Sequence, residues 1–180
     1  MVYGYLSHTI PIVHNLTATM NFQEFTKVFT KQVDRLAYER HLDFAVGICK
    51  KLFFDYQSFS ERYDFGSPDV LFDAINKVEQ RQLLRIDPKE LKTLLQRIYE
   101  ITPDSEDFGN ANYAINAAAT VYETVEFLLD RDINHIYNIG TYLIDTIDSK
   151  VQSDEDLSAE EIDQHPLMIE AKSYLLQETK

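Results

Sequence analysis

DFGNANYAINAAATVYETVEFLL, residues Asp107 to Leu129, carries no charge between Asp107 and Glu123, in a chain whose residues are 26% charged. Five of its residues are alanine: Ala111, Ala114, Ala117, Ala118 and Ala119. Alanine is the strongest helix former, and the stretch is long enough for about five to six helical turns. Small side chains let neighbouring helices approach closely, so this stretch predicts a central helix over about residues 109–130 with the rest of the chain packed around it.

The segments on either side also read as helices. Asn21 with Glu24 forms a capping-box pattern, followed by Phe22, Phe25, Val28, Phe29, Val33 and Leu36 at helical spacing. A second helix is predicted over Tyr38 to Phe54, and a short third one over Tyr56 to Tyr63, ending near Gly66. Ser67-Pro68 and Asp87-Pro88-Lys89-Glu90 pair a capping residue with proline at the first helical position, where its missing N–H costs nothing. After Asp130-Arg131-Asp132, Ile133, Ile136, Gly140, Leu143, Ile144, Ile147 and Val151 mark another helix. Ser158 with Glu161 repeats the capping box, and a last helix begins around Pro166. Gly47 and Gly140 each sit within a helix on its apolar side, where glycine costs about 1 kcal/mol relative to alanine. Close approach to the Ala-rich helix is the expected compensation. No run alternates apolar and polar residues as a strand would. The chain is therefore predicted to be all-α, one bundle of about seven to nine helices.

The domain is placed at residues 20–180. Residues 1–19 contain no Asp, Glu, Lys or Arg; they read as a loosely attached extension in which Tyr3, Tyr5, Ile10, Ile12 and Val13 are available to dock on a second subunit. The net charge is −13. That excludes nucleic acid and anionic membranes as partners, since both call for a basic surface. No apolar run approaches the ~18 residues of a membrane span. The N-terminus has no basic region ahead of an apolar core, so a cytoplasmic protein is expected. The single cysteine, Cys49, excludes an internal disulfide and reads as a small buried hydrophobe.

Three segments carry a resemblance when taken in order: FAVGICKKLFFDYQSFSERYDFG at 44–66, TPDSEDFGNANYAINAAATVYETVEFL at 102–128 and EIDQHPLMIEAK at 161–172. Together they resemble the bacterial family called domain of unknown function 416, over about residues 21–180. The resemblance implies a small, cytoplasmic, all-helical protein with no assigned activity, cofactor or catalytic residue. The chain departs from the family pattern at Phe54-Asp55-Tyr56, where Pro-Asn-Tyr is common, and at Phe65-Gly66-Ser67, where Phe-Gly-Asp is common. It also has Asn116 where an acidic residue is usual.

Two constellations bear on chemistry. Asp132 and His135 stand at i, i+3, and Glu123-Thr124-Val125-Glu126 is an E-x-x-E. Glu123, Asp132 and His135 are therefore the candidate metal ligands, with Glu39, His41 and Asp43 as further donors. This is half of the pattern of a helical two-metal carboxylate site. The plainer reading places these groups at helix ends, with Asp132 beside a helix N-terminus that favours an acid. Asn112, Asn116, Thr120 and Glu123 are spaced by 4, 4 and 3 and share one helix face, which either meets solvent or lines a pocket. Arg81 with Arg85, and the acidic run Asp154-Glu155-Asp156 with Glu160, Glu161 and Asp163, read as solvated surface. No phosphate-binding loop, nucleophile elbow or dinucleotide fingerprint is present, and no cofactor is implied. The sequence favours a non-enzymatic protein acting through protein contacts, with itself or another protein. Two other readings stand beside it: a small-molecule pocket along Asn112, Asn116, Thr120 and Glu123, and a metal-dependent hydrolase using Glu123, Asp132 and His135.

Overall fold

Eight helices and no strand occur among the described residues of the computed structural model, which are 20–81, 86–153 and 156–180. The N-terminal extension 1–19, with His8 and His14, lies outside them, as do Arg85, Asp154 and Glu155. Helix α1 spans Phe22–Val33, and α2 spans Tyr38–Tyr63. Then come α3 at Pro68–Glu79, α4 at Pro88–Ile101 and α5 at Asn112–Asp130. Helices α6 at Asn134–Gln152, α7 at Ala159–Gln164 and α8 at Pro166–Glu178 complete the chain. Among the described residues no helix is long and apolar enough to cross a membrane.

The helix starts follow local chemistry. Asn21 Oδ1 accepts from the Glu24 N–H at 3.0 Å, and the Glu24 carboxylate accepts from the Asn21 N–H at 3.2 Å, so both halves of the capping box form. Ser158 and Glu161 do the same at the start of α7. Asp87 caps α4 through the Lys89 N–H at 2.9 Å, while Glu90 turns to an ion pair with Lys77. Ser67 holds the extended N-cap backbone before Pro68 but makes no capping bond with its side chain.

Two boundaries differ from the sequence reading. The second and third predicted helices are one helix, α2, because 54–58 contain neither Gly nor Pro and Asp55 is held by Lys150 of α6 at 2.7 and 2.9 Å. The Ala-rich helix starts at Asn112 rather than 109, since Asn110 adopts a left-handed backbone (φ 63°) that a helix cannot continue. The preceding turn is pinned by Phe108, whose ring meets Phe59, Tyr63 and Phe65 at centroid distances of 5.3, 5.4 and 4.9 Å.

Helix α5 is the packing centre. It touches α2, α3, α4 and α6, most extensively α2 and α6, and Ala111, Ala114, Ala117, Ala118, Val121 and Val125 are buried. The outer layer is built on α6: α8 packs along it, and α1 packs on α8 and α6. The two mid-helix glycines serve this outer layer, which corrects the expectation that they face the Ala-rich helix. A methyl group on Gly140 would stand 2.5 Å from Cζ of Phe29 in α1, and one on Gly47 3.2 Å from the Tyr174 hydroxyl in α8. Each glycine makes room for an aromatic ring. Phe29 is in turn held between Phe25 (5.7 Å, stacked) and Phe44 (5.9 Å).

Candidate functional site

The polar line on α5 faces its neighbours. Asn116 Nδ2 donates to Thr146 Oγ1 of α6 at 3.0 Å, and the Thr120 hydroxyl turns back onto the Asn116 carbonyl at 2.7 Å. Thr146 and Thr120 are both fully buried. This is a polar seam whose groups satisfy one another, as burial requires. Asn112, one turn earlier, is exposed and lines a cavity of about 260 Å3 with Asn110, Tyr113, Ser149, Gln152 and Ser153. The four residues therefore share a helix face but not an environment.

Cys49 meets the same helix from α2. Its Sγ lies 3.2 Å from Thr124 Oγ1 and 3.7 Å from the Thr120 carbonyl. Burial pushes the thiol pKa up to about 12, against the Thr124 hydrogen bond. The thiolate is the reactive form, so Cys49 is expected to ignore a disulfide reagent in the folded protein and to react fully once the chain is unfolded. Rapid labelling of native protein, followed by absorbance, is the result that contradicts this.

At the other end of the seam, Glu123 is the hub. Its carboxylate accepts from His135 Nδ1 and from Asn138 Nδ2, the latter at 3.1 Å. The opposite ring nitrogen of His135, Nε2, stands 3.2 Å from Asp130 Oδ2. Burial of the ring opposes its charged form, but Glu123 and Asp130 outweigh it and hold the pKa above the usual histidine value. Asp130 is held below the usual carboxylate range, first by the Asp132 N–H on its Oδ1; desolvation opposes this, and His135 adds to the lowering. Glu126, one turn along α5 from Asp130, brings a third carboxylate. One oxygen each from Glu126 and Asp130 and one ring nitrogen of His135 lie within 4.8 Å of one another.

Of the predicted metal set, the structure joins Glu123 to His135 and turns Asp132 to another task. The Asp132 carboxylate accepts from the Asn134 N–H at 3.0 Å and from Asn134 Nδ2 at 2.8 Å, capping α6. The partner that sequence reading missed is Asp130. Its signal was present in the spacing of Glu123, Glu126 and Asp130 by three and four along one helix face.

The other predicted donors are engaged elsewhere. His41 is buried, with Nε2 2.8 Å from the Val33 carbonyl. Glu39 and Asp43 hold Arg81 at 3.0 and 2.7 Å. The Arg81 side chain is only 8% exposed, so it is a buried tie between α2 and the end of α3 rather than solvated surface. Asp163 is half-buried and pairs with Lys172.

The third feature is apolar. Phe54 on α2 is 67% exposed and Phe72 on α3 is 52% exposed. Phe53 lies between them, with ring centroids 5.9 Å from Phe54 and 6.0 Å from Phe72. Three rings thus form a continuous surface, and the Lys50–Glu79 ion pair joins the same two helices nearby.

Residues 28–178 match a family model described as Protein of unknown function (DUF416). The fold is similar to the crystal structure, at 1.91 Å resolution, of a DUF416 family protein from Shewanella baltica OS155. The two chains are 26% identical with a TM-score of 0.71, over 82% of this chain and 81% of that one. No curated protein matches the chain.

Proposed function

The chain belongs to the DUF416 family, and from that premise we propose that it is a non-enzymatic helical protein that works by pairing with a second copy of itself through the aromatic face of α2 and α3. The observation that carries this reading is the ring surface of Phe53, Phe54 and Phe72. Phe54 sits on the outward crest of α2, and burying such a ring is worth roughly 1.5–3 kcal/mol. A two-fold contact must be self-complementary. This face offers aromatic rings beside the Lys50–Glu79 ion pair, whose two charges can cross-pair with their counterparts. A cation within the contact offsets part of the repulsion between copies of a chain of net charge −13.

Size-exclusion chromatography with light scattering tests the reading. Wild-type protein at micromolar concentration is expected to run as a dimer. Phe54→Glu and Phe72→Glu should each weaken pairing by about 30-fold or more, the effect of losing an interface hot spot, with unchanged helical circular dichroism. A monomeric wild type, or a dimer that persists in the double variant, removes this surface as the interface.

A further inference from the structure

We propose that His135, Glu126 and Asp130 form a binding site for one divalent first-row transition metal ion, with Glu123 as the carboxylate that orients the histidine. Three features support it. Glu123 accepts from His135 Nδ1, which fixes the ring and leaves Nε2 as the nitrogen directed at Asp130. A carboxylate holding the far nitrogen of a ligating histidine is the usual support of such a ligand. Glu123 is itself fixed by Asn138, and the phenol of Tyr142 packs against it from α6, so its orientation is set by several groups.

The second feature is spacing. Two atoms that both bind a metal at about 2.1 Å are separated by about 3.0–3.4 Å, for octahedral to tetrahedral angles. His135 Nε2 and Asp130 Oδ2 are 3.2 Å apart. Glu126 is one turn before Asp130 on α5, and one oxygen of each carboxylate and one ring nitrogen of His135 lie within 4.8 Å of one another. Glu126 is thereby the third ligand of the proposed site.

The third feature is charge. Glu123, Glu126 and Asp130 stand together, and among the described residues no Lys or Arg forms an ion pair with any of them. Arg131, next in sequence, turns its guanidinium over the Tyr38 ring at 4.6 Å. One imidazole nitrogen and two carboxylate oxygens suit Zn2+ and its neighbours better than Mg2+ or Ca2+, which take oxygen alone. Three protein ligands leave further positions to water. The ion occupies the place of the Nε2 proton, and Glu123 keeps its hold on Nδ1.

Zn2+ titration of the metal-free full-length protein, against a chromophoric chelator, tests the assignment, with Co2+ absorption reporting the ligand set. One equivalent of Zn2+ should bind. Glu126→Gln and Asp130→Asn should each weaken it at least about tenfold, and Glu123→Gln by about 10–100-fold. Asp132→Asn should leave it unchanged, and excess Mg2+ should not displace it. Glu126→Gln removes no contact between α5 and α6 named above, so it reads the site without challenging the fold. The proposal is overturned by an absence of stoichiometric Zn2+ binding. It is equally overturned if Glu126→Gln and Asp130→Asn bind like wild type, which would place the ion elsewhere, or if Asp132→Asn weakens binding as much as Asp130→Asn.

Discussion

Gly66→Ala is expected to cost about 2–5 kcal/mol and to lower the melting temperature by roughly 4–20 °C for a chain of this size. Two independent costs add. Gly66 has φ of 73°, the left-handed region, where a side chain costs about 1–2 kcal/mol. The new methyl group would also meet the Tyr56 hydroxyl, with the Ile101 carbonyl 3.2 Å away. Tyr56 is fully buried and donates to that carbonyl at 2.7 Å. Burial pushes its hydroxyl pKa up to about 12, while the Ser67 N–H acts the other way. One hydroxyl thus joins α2, the start of α3 and the end of α4, and displacing it strands buried polar groups at about 1–3 kcal/mol. Urea unfolding of Gly66→Ala, Tyr56→Phe and the double variant separates the terms. The double variant should be less destabilised than the sum, because removing the hydroxyl makes room for the methyl group. Strict additivity, or a Gly66→Ala variant within about 1 kcal/mol of wild type, would show that the contact does not limit this position.

Gly66 also shows what sequence reading can reach. Its place as a helix stop was legible, because Tyr63, Gly66, Ser67 and Pro68 form a local stop-and-start signal that depends on neighbours in sequence. So were the capping boxes at Asn21 and Ser158 and the burial of Ala114, Ala117 and Ala118 in α5. Its contact with Tyr56 and Ile101 was not legible, since it depends on where three helices meet. The same limit misplaced the partners of Gly47 and Gly140. Helical spacing locates an apolar face but does not say which helix covers it.

The metal reading of Glu123, Asp132 and His135 met this limit in a sharper form. An i, i+3 pair meets only if the helix runs through it. Here α5 ends at Asp130, Arg131 takes a left-handed backbone (φ 65°), and the chain reverses into α6. His135 therefore folds back onto the last turns of α5, where Glu123, Glu126 and Asp130 stand, while Asp132 caps the helix that carries His135. The central helix, read first as a packing element, thus carries polar groups with two roles. Its middle makes a satisfied seam with α6, and its end gathers three carboxylates around one imidazole.

The second large effect is expected at the pair Lys172 and Asp163, and it is asymmetric. Asp163→Ala should cost about 3–5 kcal/mol, whereas Lys172→Met should cost under about 1.5 kcal/mol. The Lys172 side chain is 0% exposed, and besides Asp163 its ammonium donates to the Met20 carbonyl at 3.2 Å. Removing the carboxylate leaves a buried cation with one neutral partner, a state far costlier than an apolar side chain of similar length. Removing the lysine is milder. Asp163 keeps the Phe22 N–H at 3.2 Å and, at 21% exposure, still reaches water. Methionine fills the volume of the lost stem. Since Asp163 joins α7 to the first residue of α1, the variant should loosen the outer layer, with faster amide exchange in α1 than in α5. Adding Lys172→Met to Asp163→Ala should recover most of the loss, because the stranded charge is gone. Denaturant unfolding of both single variants and the double one decides it. Equal costs for the two single changes, or no recovery in the double variant, would mean that desolvation of the ammonium does not govern this pair.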